Sequence, residues 1–84
     1  MGEHAKRVRF VVAWDRRDQQ WEVSINGFVE YGTHAKKDAV VYARDMARGM
    51  RESEGTPAQL IVKGKNGRIQ FEHTYGKDPK KTKG

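Results

Sequence analysis

The sequence predicts a two-layer α+β domain in which an antiparallel sheet, in the order β-β-β-α-β-β, packs on one α-helix. A single long stretch has helical periodicity, while the segments on either side alternate polar and apolar residues or break at Asn-Gly pairs. From Thr33 to about Arg51 the apolar residues Ala35, Ala39, Tyr42, Ala43, Met46, Ala47 and Met50 recur at three- and four-residue steps. That spacing gathers them on one helix face, the expected core. With 84 residues the chain makes one domain, its core one helix thick over one sheet.

Residues 1–5 carry no pattern and are expected to be disordered, with the folded domain over 6–76. The run KRVRFVVAW from Lys6 alternates, with Val8, Phe10, Val12 and Trp14 on one side and Arg7, Arg9, Val11 and Ala13 on the other. After the polar turn DRRDQQ, the residues Trp21, Val23 and Ile25 alternate with Glu22, Ser24 and Asn26 in a second strand. Asn26-Gly27 fits a two-residue type I′ turn, whose central positions both need positive φ, and a third strand is expected over Phe28 to Tyr31. Thr33 is the expected helix N-cap, and Gly49, Gly55 and Pro57 stop the helix between Gly49 and Glu54. A strand over 59–65, an Asn66-Gly67 turn of the same kind and a return strand from Arg68 to Tyr75 complete the domain. With Lys65 facing Arg68, the residues Ile61, Lys63, Lys65, Arg68, Gln70 and Glu72 share one side, and Leu60, Val62, Ile69, Phe71 and His73 the side under the helix. From 77 to 84 the chain is a basic tail, expected to be disordered.

By the last strand a pattern has accumulated: Trp21-x-Val23, Gly27, Thr33, Ala39, Ala43-Arg44, Ala47, Gly67-Arg68-Ile69 and Thr74-Tyr75-Gly76-x-Asp78-Pro79. It resembles a family of small bacterial and phage domains of unknown function, with a W-x-V strand, an A-x-x-x-A-R helix, a G-x-I strand and a closing T-Y-G-x-D-P. The resemblance covers roughly residues 20–79 and implies a compact α+β fold. It implies no settled activity, so it brings no catalytic residues with it. The first strand, Lys6 to Trp14, is longer than the short start of that family.

Seventeen Lys and Arg against eleven Asp and Glu give a net charge of +6, a field that attracts polyanions and also favours solubility. Without cysteine there is no disulfide framework and no thiolate metal site. His4, His34 and His73 lack the H-x-x-x-H and H-E-x-x-H spacings, so no metal is expected. Ser24 and Ser53 neighbour no histidine and no glycine-rich phosphate loop opens the helix, so neither catalysis nor a cofactor is expected. The start MGEHAKRVRF has no apolar signal region, and no apolar run approaches the roughly 20 residues that span a bilayer, so a cytoplasmic protein without membrane contact is expected.

The basic residues fall into candidate surfaces for nucleic acid, DNA before RNA. Lys37, Arg44, Arg48 and Arg51 form a helix stripe beside a neighbouring arc of Asp38, Asp45 and Glu52. The stripe equally fits intrahelical pairing of Arg48 with Asp45 and Glu52, worth a few tenths of a kcal/mol for each pair. Arg7, Arg9, Lys63, Lys65 and Arg68 converge on the sheet face away from the helix, where they also fit protection against edge-to-edge aggregation. Lys80 and Lys81 extend the basic set into the tail. Val11, Ile61, Val29 and Tyr31 form an apolar patch on that same open face, which points to the rival role: a protein-interaction module, homodimeric or docked on a host protein. Phe10, Trp14, Trp21 and Phe71 fall on the apolar side and are expected in the core rather than as a base-stacking surface.

Overall fold

The computed structural model describes residues 7–75. The termini expected to be disordered, 1–5 and 77–84, lie outside the described residues, as do Lys80 and Lys81. Five strands, β1 Val8–Asp15, β2 Gln20–Ile25, β3 Phe28–Thr33, β4 Ala58–Lys63 and β5 Ile69–Tyr75, form one sheet in the order β3-β2-β1-β4-β5. The helix α1, Lys36–Glu54, packs on one face, so the two-layer α+β arrangement is the observed one. The sheet is mixed rather than wholly antiparallel. β1 pairs antiparallel with β2, β2 with β3 and β4 with β5, but β1 and β4 run parallel. The cause is the helix, a crossover that follows an up-down-up meander and returns the chain to the end from which β1 set out.

Alternation along the strands supplies the core. Phe10, Val12, Val23 and Leu60 are fully buried under α1, with Phe10 between Ile25 and Leu60, and Val12 between Val23 and Val62. The helix meets them with Ala39, Ala43 and Ala47, all fully buried. Side chains this short let the backbone approach the sheet closely, and the contact is narrower than the periodicity suggests: Met46 is 39% exposed and Ala35 is exposed. Tyr42 leaves the midline to stack on Tyr31, ring centroids 4.2 Å apart and 6° from parallel.

The helix ends differ in how their free backbone groups are met. Ala35, extended and with no side-chain cap, occupies the N-cap position. Thr33 ends β3 instead, its Oγ1 accepting from the Ala35 N–H at 3.3 Å, so the expected cap is displaced by two residues. At the other end Gly55 takes φ +70° and donates its N–H to the Arg51 carbonyl at 3.0 Å, a left-handed closure that a Cβ would strain.

The two Asn-Gly hairpins prove different. Asn26 and Gly27 both have positive φ, and Ile25 pairs with Phe28, as a two-residue type I′ turn requires. In the second hairpin only Gly67 has positive φ: its N–H bonds to the Gly64 carbonyl, and the Gly64 N–H to that of Arg68, which makes a three-residue loop. Ile69 consequently pairs with Lys63, 55% exposed rather than under the helix. Gln70 is then the extra residue of a bulge, after which Val62 pairs with Phe71 in the expected register.

The alanine seat predicts an asymmetry. Ala43→Leu is expected to lower the unfolding free energy by about 1–3 kcal/mol through overpacking, and Val41→Ala, on the solvent side, to change it by less than about 0.5 kcal/mol. Urea denaturation of both variants measures the difference.

Candidate nucleic-acid interface

Burial of Phe10 and Val12 under the helix turns Arg9 and Val11 to the opposite face of β1, which no described element covers. There Arg7, Arg9 and Lys63 line a shallow depression of about 580 Å³ with Val11, Ser24, Asn26 and Gly27. No lining residue is acidic. Among the described residues these three cations form no ion pair. Asn26 fixes one rim: it accepts from the Arg9 N–H through Oδ1 at 3.0 Å and donates its own N–H to the Arg9 carbonyl at 2.9 Å. Glu72, on the same face, accepts from Gln59 Nε2 at 2.6 Å and stands outside the depression.

Two other members of the expected basic face lie elsewhere. Lys65 is carried by the three-residue loop to the helix side of the sheet, its Nζ 4.2 Å from the centre of the Trp14 ring. Arg68 is exposed where that loop rejoins the sheet. The apolar patch is also smaller than expected. The bulge that pairs Val23 with Tyr31 but Ser24 with Val29 leaves Val29 on the open side and turns Tyr31 to the helix, against Tyr42. Ile61 is 8% exposed although no helix covers it, flanked by Val11 on β1 and Glu72 on β5.

On the helix, the charge arcs map onto the two edges of the sheet. Lys36, Val40 and Arg44 line a cleft of about 330 Å³ facing β5, with Leu60, Val62, Gln70 and Phe71. Arg48 and Arg51 follow Arg44 by four and seven residues on the same flank, both exposed. Lys37, seven residues before Arg44 on the same continuous helix, stays within about 20° of it and keeps to the stripe. It also lines a separate groove with Asp38, Asp45, Tyr31, Val41 and Tyr42. Phe71 is half exposed rather than in the core, because α1 does not reach over β5.

Residues 9–75 match the family described as an uncharacterized protein conserved in bacteria (DUF2188). The chain belongs to this family. Comparison with curated proteins and with solved structures finds no match. Among the described residues of this DUF2188 domain, no helix is long and apolar enough to cross a membrane.

One cluster escapes a sequence search based on histidine spacing. The turn after β1 brings carboxylate oxygens of Asp15, Asp18 and Glu22 within 4.8 Å of one another, a grouping common on surfaces that hold no ion. Partial burial pushes the Glu22 carboxyl above its ordinary value of 4.5, aided by the hydrogen bond and charge of Asp15 and the charge of Asp18, while Gln20 opposes the shift. A raised carboxyl binds its proton more tightly in the folded state. Its contribution to stability is therefore full below about pH 4.5 and is lost as pH rises through the folded value. Glu22→Gln is expected to raise the melting temperature at neutral pH, with the gain shrinking under acid conditions; thermal melts across pH measure it.

Proposed function

We propose that this protein is a non-catalytic nucleic-acid-binding protein that contacts the phosphate backbone with weak dependence on base sequence, DNA being preferred to RNA. The observation that carries this reading is the depression of the open sheet face, where Arg7, Arg9 and Lys63 gather without a carboxylate among the lining residues. Arginine suits the task because its planar fork meets phosphate oxygens in pairs, and the Ser24 hydroxyl adds a neutral donor. The depression is shallow and polar, which suits a repeating anionic backbone better than a small apolar ligand. Cytoplasmic location follows from that role as part of the same proposal. The rival reading, homodimerisation or docking on a host protein through this face, has weaker support, because Ile61 is already covered by its own neighbours.

If each of the three cations neutralises one phosphate, log K falls with log salt at a slope of about −2.7 from this face alone. Fluorescence anisotropy of labelled duplex DNA over a salt series tests it. Arg7→Ala, Arg9→Ala and Lys63→Ala are each expected to weaken binding and flatten the slope by about 0.9. Absence of binding at low salt sinks the proposal.

A further inference from the structure

β5 is an edge strand with an unusual helix-side surface. Phe71, His73 and Tyr75 follow one another at alternate positions, the first two with rings 13° from parallel and centroids 6.3 Å apart, the last two edge to face at 4.5 Å. Phe71 is 50% exposed. Beside this row runs the basic flank of α1, where Lys36 and Arg44 share the cleft with Phe71, while Arg48 and Arg51, exposed and outside the residues that line the cleft, follow Arg44 toward the helix end. None of the residues lining the cleft is acidic, because the helix carboxylates Asp38 and Asp45 lie in the groove toward β3. Lys36 is held in place by Gln70, whose Oε1 accepts from its Nζ, and by the Trp21 ring 5.2 Å below.

Resting on the nucleic-acid reading above, we infer that the cleft between α1 and β5 seats single-stranded nucleic acid, with unpaired bases stacking along Phe71, His73 and Tyr75 and phosphates meeting Arg44, Arg48 and Arg51. The occupant has to be anionic along its length, since the helix cations from Lys36 to Arg51 extend over about 22 Å at 1.5 Å per residue. It also has to offer flat apolar faces at intervals, because the aromatic row repeats every second strand residue, about 7 Å. A single strand pulled out beyond its duplex rise of about 3.4 Å presents both. Duplex bases keep their faces stacked on one another and so offer none to the aromatic row.

The test is anisotropy with labelled oligodeoxythymidine of about 12 nucleotides, within the usual single-strand site sizes, beside a duplex of equal length. Phe71→Ala is expected to weaken single-strand binding roughly 5- to 100-fold and to leave duplex binding unchanged. Phe71→Leu, which keeps apolar bulk but removes the ring, is expected to lose a comparable factor, and its melting curve shows that the fold is retained. If both Phe71 variants bind the single strand as the parent does, while Arg7→Ala and Arg9→Ala weaken it, the cleft assignment falls and the open-face reading stands. If neither oligonucleotide binds at low salt, both fall. Concentration-dependent dimerisation in sedimentation that Phe71→Ala abolishes makes the cleft a contact between copies, and overturns the inference.

Discussion

The close seat of α1 on the sheet, alanine against Phe10, Val12, Val23 and Leu60, is the contact on which the remaining architecture depends. A helix with its side chains is about 10–12 Å across, whereas five strands at their usual spacing span about 19 Å. One helix therefore cannot cover the sheet. Centred over β4, β1 and β2, it leaves both edge strands partly bare on its own side and, among the described residues, the opposite face open. Phe28 and Phe71, at 71% and 50% exposure, mark the two margins that it fails to reach.

Electrostatics then distinguishes those margins. The helix turns Lys36 and Arg44 toward β5, and Asp38 and Asp45 toward β3, so two clefts of similar origin have opposite character. The tyrosine stack of Tyr31 on Tyr42 partly closes the acidic side, while the β5 side ends in an aromatic row that no other described element covers. The depression around Arg7, Arg9 and Lys63 lies on the other face of the same sheet. Positive charge thus reaches solvent on both faces of a very thin domain, through side chains set by strand alternation on one face and helical repeat on the other.

Much of this was legible in the sequence, because it is written in short-range periods. The alternation in β1, the alanine spacing in α1 and the Asn26-Gly27 turn each specify local geometry, and the expected register of β5 with β4 holds from Phe71 onward only because a longer loop and a bulge cancel. What escaped depends on single-residue insertions and on the path of the chain. A bulge after Val23 separates Tyr31 from Val29, and another at Gln70 compensates for a loop one residue longer than the Asn66-Gly67 pair suggests. Nothing in local composition marks either, yet together they move Tyr31, Lys65 and Ile69 away from their expected sides. The parallel pairing of β1 with β4 is likewise a property of the crossover and not of either strand. At the candidate sites, Arg7, Arg9 and Lys63 were readable by alternation, whereas Phe71 was misplaced because the width of the helix, rather than the pattern of β5, decides what is covered.

The central position of β1 carries a consequence for how this chain is assembled on the ribosome. The strand synthesised first is the spine to which both hairpins attach, β2 on one side and β4 on the other. Its second flank stays vacant until the helix and the strand beyond it have emerged, roughly fifty residues later. Through that interval the nascent meander has a bare row of backbone amides and carbonyls, and trimming the leading strand would divide the sheet into two ribbons with no common border.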